Sequence, residues 1–315
     1  MATDHRAEVR DFLATRRARI SPEQAGLTVY GGNRRVPGLR REEVALLAGV
    51  SVDYYTRLER GNLAGASDGV LEALARALQL DDAERDHLLD LARTANASPR
   101  ARQRASRQAV RPSVQFMLDA LTGAPAFVRN ARMDILATNR LGRALYCQMY
   151  DGAPRLAPDG TARPANSSRF IFLDSRARDF YPDWNVAANN NVAILRTESG
   201  RNPYDKGLAD LVGELSTRSE EFAALWARHN VRRHYSGNKV FRHPVVGEIE
   251  LLFEALSLAE DPGLTFTVYP AVPGSPSEES LRLLGSWAAT EDAAAGDVTP
   301  APGGALPDGA LRPEL

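Results

Sequence analysis

The sequence contains a single cysteine, Cys147, among 315 residues. An intrachain disulfide and a zinc site built from several thiolates are therefore excluded, and a reducing compartment is expected. No run of about 18 apolar residues occurs, and the first residues lack the apolar core of a signal peptide. The sequence thus predicts a cytoplasmic protein with no membrane partner.

Catalytic motifs are lacking as well. The chain has no P-loop, no glycine-rich dinucleotide fingerprint, no nucleophile elbow and no pair of catalytic carboxylates in a known motif. The spacing of His229, His234 and His243 is not typical of zinc ligands. We therefore predict no catalytic residue, no metal and no cofactor. An enzyme fused to another module is the least favoured class.

Lysine is nearly absent, because 37 of the 39 basic residues are arginine. Either a GC-rich genome or selection for planar, forked donors explains this bias. The charge is unevenly divided: residues 1–112 hold 19 Arg against 15 Asp and Glu, and the remainder holds 20 basic against 25 acidic residues. A basic front and an acidic remainder indicate an N-terminal segment that meets a polyanion.

Apolar residues at helical spacing predict five short helices within residues 1–96. Residues 39–61 have the pattern of two helices joined by a tight turn. Ala45 supplies the small residue at the crossing, Gly49 the turn, and Ser51 the N-cap of the second helix. Gly61 is placed to end that helix.

The stretch RRVPGLRREEVALLAGVSVDYYTRLERG resembles the Cro/repressor-type helix-turn-helix of the xenobiotic-response-element (XRE) family, in the form found in MmyB-like regulators. The resemblance implies a lambda-repressor-like, all-α domain over residues 1–96 that binds double-stranded DNA. One departure concerns Arg40 and Arg41, which stand where many relatives have a Thr cap followed by Gln. The capping of that helix is therefore not predicted.

The second helix of such a module enters the major groove with its outward side chains. Arg57 pairs with guanine or with phosphate, and Asp53 accepts from cytosine or satisfies its own helix end; the sequence leaves both alternatives open. One module reads about one half-site, so we expect a homodimer. The residues predicted to face base edges are Ser51, Val52, Asp53, Thr56 and Arg57. The predicted phosphate clamp consists of Arg34, Arg35, Arg40, Arg41 and Arg60.

A basic linker, residues 97–111, precedes a region of different character. Residues 112–290 predict an α+β domain: a hairpin in AFVRNARMDILATN, several helices, an antiparallel strand pair around AEDPGL and a third strand in HYSGNKVFRH. A closing helix is predicted from Ser277 to Ala288. The tail, residues 291–315, is rich in Pro, Gly and Ala and is predicted to be disordered. The fold class is therefore multidomain.

The same region is similar to the ligand-binding domain of MmyB-like regulators in RFIFLDSRARDFYPDW, LADLVGELSTRSEEFAALWARHNV and HPVVGEIELLFEAL. The resemblance implies a PAS-like sensor fold whose pocket takes a fatty-acid-like or other amphipathic small molecule. A departure appears at Thr138, where many relatives carry Trp before the residue equivalent to Asn139.

A pocket for an amphipathic molecule needs an apolar lining and polar groups at one end. Lining candidates are Phe127, Leu136, Leu141, Leu145, Trp184, Phe222, Trp226 and Phe253. Candidates for an anionic head group are Asn139, Arg143, Tyr146 and Arg196. The alternatives are that the apolar residues are core alone and that Arg143 and Arg196 pair with local carboxylates. The predicted ligand-binding set is Asn139, Arg143, Tyr146, Trp184, Arg196 and Trp226.

Together these features predict a ligand-responsive, sequence-specific transcription regulator with a small amphipathic ligand as its effector. The alternative is a regulator whose C-terminal domain is a dimerisation or protein-interaction module without a ligand.

Overall fold

The computed structural model describes residues 5–27, 38–96, 109–151, 163–231 and 236–296. Within this part of the chain the N-terminal domain is all-α, as predicted. Its helices are α1 (His5–Arg19), α2 (Arg41–Ala48), α3 (Val52–Glu59), α4 (Asp68–Ala77) and α5 (Asp82–Asn96).

The core of this domain is formed where α1 and α3 meet. Val9, Phe12 and Leu13 of α1 are fully buried, and Tyr55 and Leu58 of α3 are buried in the same apolar cluster. These positions recur every three or four residues, so one face of each helix supplies the apolar stripe.

The turn between α2 and α3 has the predicted chemistry. Gly49 adopts φ +66°, and the Ser51 hydroxyl accepts a hydrogen bond from the amide of Tyr54 at 3.1 Å. Gly61 follows α3 with φ +93°, and a Cβ there would lie 2.4 Å from the carbonyl oxygen of Arg6. Only glycine therefore allows α3 to end against α1.

The capping of α2 is supplied from within the helix. The Arg40 guanidinium has donors only, so it cannot accept from the helix amides. Instead the Glu43 carboxylate accepts from the backbone amide of Arg40 at 2.6 Å. This is the carboxylate half of a capping box, and it satisfies the backbone amide of the N-cap residue.

The C-terminal domain combines helices with one sheet, which confirms the predicted α+β, PAS-like class. Its first helices and strands are α6 (Pro112–Ala120), β1 (Ala126–Arg129), β2 (Ile135–Thr138), α7 (Arg140–Leu145), α8 (Cys147–Tyr150), α9 (Ser167–Leu173) and α10 (Arg176–Phe180). These are followed by α11 (Trp184–Arg201), α12 (Lys206–Arg218), α13 (Glu220–Trp226), β3 (Ser236–His243), β4 (Gly247–Ser257), β5 (Thr265–Val268) and α14 (Pro276–Gly296).

The five strands are antiparallel in the order β2-β1-β5-β4-β3. Alternation along β4 buries Ile249, Leu251 and Phe253 on one face, which packs against helices α7 to α11 and α14. The opposite face is covered by α6 over β1 and β5, where Val114 and Leu118 are buried. The face under the helices is the one that holds the cavity described below.

Two helices run further than predicted. Apolar spacing predicts a helix from Asp183 to Arg196, and α11 continues beyond it to Arg201. α14 continues to Gly296, six residues into the segment predicted to be disordered. The sequence EDAAAG is alanine-rich, and alanine has the highest helix propensity, so composition alone gave the wrong boundary. The rest of the predicted tail lies outside the described residues, as does most of the predicted linker.

Across the described ranges, no helix has both the length and the apolar character needed to cross a membrane.

Candidate functional site

One face of α3 is open to solvent. Ser51, Val52, Asp53 and Arg57 are exposed and Thr56 is half-buried, so the five side chains predicted from the sequence share one surface. The Arg57 guanidinium lies 5.0 Å from the centre of the Tyr54 ring, a cation–π distance. This contact holds the Arg57 side chain along the helix while its donors remain available.

Glu59, at the end of α3, joins three elements of the domain. Its side chain is 2% exposed and accepts from Nε and Nη2 of Arg17 at 2.9 and 2.8 Å and from Nε of Arg41. The bond to Glu59 raises the pKa of Arg41. Because Arg41 is engaged within the domain, it is a positioning residue for α3 as well as a candidate phosphate contact.

Of the other four arginines in the predicted phosphate clamp, the structure describes two. Arg40 is exposed and pairs with Glu42 at 3.3 Å, and Arg60 is exposed just after α3. Arg34 and Arg35 lie outside the described residues. The surface around α3 therefore presents Arg40, Arg57 and Arg60 to solvent.

A cavity lies between the inner face of the sheet and helices α8, α9 and α11. Its volume is about 60 Å³, and five aromatic rings contribute to the lining: Phe127, Tyr146, Tyr181, Phe253 and Tyr269. The lining also contains two cationic side chains, Arg129 and Lys239, and no carboxylate among the residues that the structure describes.

Lys239 enters the cavity from β3. Its Nζ donates to the hydroxyl oxygen of Tyr269 at 3.3 Å and lies 5.4 Å from the centre of the Phe253 ring. The Tyr146 hydroxyl donates to the same Tyr269 oxygen at 3.2 Å. Burial raises the pKa of Tyr146 well above its usual range, and the neighbouring tyrosines Tyr269 and Tyr181 act in the same direction. The phenol of Tyr146 is therefore a neutral donor beside a cation.

Two buried polar atoms of the lining lack a hydrogen-bond partner among the described residues. They are Oδ1 of Asn191, on α11, and Oγ1 of Thr267, on β5, in side chains that are 3% and 4% exposed. A buried polar atom without a partner costs about 1–3 kcal/mol. Such atoms are usually satisfied by water or a ligand, so their place in the cavity marks it as a candidate binding site.

Known families match both the domain that contains α3 and the domain that contains the cavity. A helix-turn-helix domain family matches residues 8–88. The family described as the MmyB-like transcription regulator ligand binding domain matches residues 110–284, more than half of the chain. The chain belongs to the MmyB-like transcription regulators. It is thus a DNA-binding transcription regulator with a domain for a small-molecule ligand, and both families are regulator domains rather than enzymes. No curated protein matches the sequence.

The cavity of this MmyB-like regulator contains one of the six predicted ligand residues, Tyr146, together with Phe127 and Phe253 from the wider lining set. Asn139 instead caps α7. Its Oδ1 accepts from the amides of Gly142 and Ala126 at 2.7 and 2.9 Å, and its Nδ2 donates to two carbonyls. All of its hydrogen-bonding capacity is used within the fold.

The other aromatic and basic candidates also lie away from the cavity lining. Arg143 is exposed and stacks 4.7 Å from the Tyr150 ring centre. Trp184 donates from Nε1 to the carbonyl of Ile171 at 3.0 Å. Leu136, Leu141, Leu145 and Phe222 are core or partly buried side chains outside the lining.

Arg196 and Trp226 contribute to the contact between the two domains. Arg196 therefore does not lie in the predicted head-group site, and Trp226 does not lie in the predicted apolar lining. Nη1 of Arg196 lies 2.5 Å from Oε2 of Glu8 on α1, and both side chains are almost fully buried. The guanidinium stacks 3.7 Å from the Trp226 ring centre and donates to the Trp226 carbonyl. Arg196 lies two positions beyond Ile194, a cavity residue, and therefore about 200° around the helix.

The domain contact surrounds this ion pair. The imidazoles of His87 and His229 lie 3.8 Å from Oε1 of Glu8, and Val231 is buried in the apolar core of the N-terminal domain. Burial by itself would raise the pKa of Glu8, but the imidazoles of His229 and His87 and the charge of Arg196 lower it well below its usual range. Burial lowers the pKa of His87. The contact therefore holds an ionised Glu8 beside a neutral His87.

Within the described part of the chain, no group of three or more His, Cys, Asp or Glu side chains has an arrangement that could hold a metal ion. His243 is held by protein groups: its Nε2 lies 3.0 Å from the carbonyl of Ala144, and its Nδ1 accepts from the amide of Val245 at 3.2 Å. His234 lies outside the described residues.

The cavity residues missed from the sequence include Lys239, Asn191 and Thr267. The alternation of side chains along β3 could have identified Lys239. This lysine lies on the same face of the strand as Phe241 and His243, which are both buried. A lysine on the buried face of a strand, in a chain with one other lysine, is a pointer to a site.

Proposed function

We propose that this regulator binds operator DNA through the exposed face of α3 and that a small amphipathic molecule in the cavity sets its DNA affinity. The observation that carries the proposal is the position of α11. Ala187, Asn191 and Ile194 of this helix line the cavity, and Arg196 and Gly200 contact the DNA-binding domain. One helix therefore contacts both the cavity and the DNA-binding domain.

The side chains around α3 support the DNA-binding part. The donors of Arg57 match guanine O6 and N7 or phosphate oxygens, and Arg40 and Arg60 flank the helix for phosphate contacts. A domain of this size reads about one half-site, so we propose that a homodimer binds the operator. Phe116 and Met117 of α6, 71% and 56% exposed, offer apolar surface for such an interface.

Effector control requires that the ligand prefer one arrangement of the two domains. A molecule that pairs with Asn191 changes the surroundings of α11 on its cavity side. The Arg196–Glu8 ion pair and the contact of Gly200 with His87 then transmit a displacement of α11 to the DNA-binding domain. The effector thereby shifts the population of DNA-binding arrangements.

A fatty-acid-like effector is the class that the family resemblance implies. The described cavity, at about 60 Å³, is much smaller than the roughly 300–1,000 Å³ of pockets that hold drug-sized ligands. A long acyl chain therefore fits only if the helices move away from the sheet. Because α11 is one of these helices, such an expansion would itself disturb the domain contact.

The experiment begins with selection of an operator from random-sequence duplex DNA. Binding of the full chain to that operator is then measured by fluorescence anisotropy, with and without small molecules extracted from the source cells. We expect at least one fraction to change the dissociation constant at fixed salt concentration. An unchanged constant across all fractions argues against effector control and leaves DNA binding intact.

A pair of double variants tests the route through α11. Glu8→Leu with Arg196→Met replaces the buried ion pair by apolar groups, a change that is often tolerated. We expect this variant to bind DNA and ligand while the ligand loses most of its effect on DNA affinity. Glu279→Leu with Arg282→Met removes an exposed pair on α14 and serves as the matched control.

The second candidate function is a C-terminal domain that acts as an interaction module without a ligand. Leu252 and Leu256 favour it, since they lie exposed on the outer face of β4, in the same domain as the exposed Phe116 and Met117. Native mass spectrometry of gently purified protein separates the two candidates. A co-purified small mass supports the effector, and a ligand-free dimer supports the module.

A further inference from the structure

We infer that the effector is a small carboxylic acid with a short apolar or aromatic body, and that its carboxylate pairs with Lys239. This inference rests on the proposed effector site and narrows its ligand to a chemical class. Its observations are the charge of the lining, the unpaired polar atoms and the size of the cavity.

The charge of the cavity favours an anion. Lys239 and Arg129 are its ionisable cations, and no carboxylate from the described residues lines it. Arg129 interacts with Glu198, whose charge opposes that of Arg129. The Lys239 ammonium has a phenol oxygen and two aromatic rings as its contacts, so its charge is not neutralised by an acid. A ligand carboxylate would supply the missing opposite charge.

Hydrogen-bond donors line the same cavity. The Tyr269 oxygen accepts from Lys239 and from Tyr146, which leaves its own hydroxyl hydrogen free to donate. Thr267, two residues before Tyr269 and on the same face of the sheet, has an unpaired hydroxyl that can also donate. A carboxylate accepts up to about four hydrogen bonds, so these donors match it better than a neutral alcohol or amide.

The remainder of the lining limits the body of the ligand. The rings of Phe127, Tyr181 and Phe253 line a cavity of about 60 Å³. So small a space favours a single ring or a chain of a few carbons over a long chain, and a ring can contact these aromatic side chains edge to face. The carbonyl of the Asn191 amide is placed to accept from a hydroxyl or amino substituent on that body.

The two lysines make the inference directly measurable in the full chain. Reductive dimethylation with formaldehyde, read by peptide mass spectrometry, reports the reactivity of Lys239, and the exposed Lys206 is an internal reference. The probes are benzoate, butyrate, myristate and the uncharged benzamide. We expect saturating benzoate or butyrate to slow the modification of Lys239 about tenfold or more. Lys206 should be unaffected, and benzamide and myristate should have no effect on either lysine.

Two variants test the contacts with whichever short acid protects Lys239. Thr267→Val should weaken its binding about tenfold, as expected for loss of a hydrogen bond to a charged group. Thr265→Val, on the same strand but outside the lining, should not. Lys239→Met should abolish measurable binding with an unchanged circular dichroism spectrum, and Lys206→Met should have no effect.

The outcomes separate this inference from the proposed function. Protection by myristate alone overturns the small size of the ligand, and equal protection by benzamide overturns the need for a charge. If no probe protects Lys239 while extracted molecules still change operator affinity, the carboxylate class is wrong and effector control stands. If benzoate or butyrate protects Lys239 without any change in operator affinity, the ligand class stands and effector control fails.

Discussion

A Cβ atom at residue 200 would lie 2.4 Å from Cε1 of His87. Gly200 belongs to α11 of the ligand-binding domain, and His87 to α5 of the DNA-binding domain, where it is completely buried. The Gly200 carbonyl also accepts from the Thr94 hydroxyl at 3.3 Å. The absence of a side chain at this position is therefore what lets the two domains approach so closely.

Gly200→Ala is expected to weaken the domain contact. The buried imidazole of His87 has no exposed direction in which to move, and overpacking of this kind typically costs about 1–3 kcal/mol. Gly213→Ala is the matched control, because a Cβ on this exposed helical glycine meets nothing within 4 Å and should stabilise α12 by up to about 1 kcal/mol. Urea unfolding measures both. Equal stability of the two variants would contradict a close contact at Gly200.

Glu59→Gln is expected to destabilise the DNA-binding domain by about 3 kcal/mol, the low end for breaking a buried ion pair. The loss leaves the guanidiniums of Arg17 and Arg41 without their carboxylate and frees the end of α3. Glu42→Gln breaks an exposed pair with Arg40 and should cost less than about 1 kcal/mol. Thermal unfolding of the two variants gives the comparison, and a cost at Glu59 no larger than that at Glu42 would refute the role of Glu59.

The helix-turn-helix was predictable because its requirements are local. The turn glycine, the serine cap and the apolar spacing lie within 23 residues, and each has a backbone or packing reason that the sequence displays. The strands of the sheet were predictable for the same reason, since alternation along β4 is visible in the sequence. The helix after Ala288 was missed because alanine and glycine were read by composition rather than by helix propensity.

The cavity was less predictable because its residues come from distant parts of the chain. Arg196 has the chemistry of a carboxylate ligand, but the side of α11 on which it lies and the position of Glu8 depend on how the domains dock. Tyr146 was one of the candidates for an anionic head group, and it lies at the C-terminal end of α7. Prediction of Lys239 as a cavity residue required knowledge of which face of β3 points inward. Prediction of Thr267 required the pairing of β5 with β1 and β4.

Arg57→Ala is expected to lower affinity for the selected operator at least about fivefold, the effect of losing a contact worth about 1–3 kcal/mol. If Arg57 reads guanine, the loss is confined to operators with that base, and if it binds phosphate, all sequences weaken and the salt slope falls by about one. Arg282→Ala, an exposed arginine on α14, is the charge-matched control. Anisotropy titrations at several salt concentrations distinguish these cases, and an unchanged affinity would exclude Arg57 from the interface.

The stability of the chain is expected to fall as the pH drops from about 7 toward 5, in part because of His87. Burial lowers the pKa of this imidazole below its ordinary value of 6.5, so the unfolded chain takes up a proton in this range before the folded chain does. Its stabilising contribution is thus present above pH 6.5 and is lost on acidification. The charged groups that act on the ring are Glu8, whose pKa lies well below 4.5, Arg196 and Asp90.

His87→Gln removes that titration while His243, whose pKa is also lowered by burial, remains in both proteins as a common background. The unfolding free energy of the variant should therefore change less between pH 7 and pH 5 than that of the unmodified chain, whose slope includes up to about 1.4 kcal/mol per pH unit from His87. Urea unfolding at half-unit steps of pH measures both slopes. Parallel curves would mean that His87 takes up its proton equally in the folded and unfolded states, which its complete burial beside Arg196 argues against.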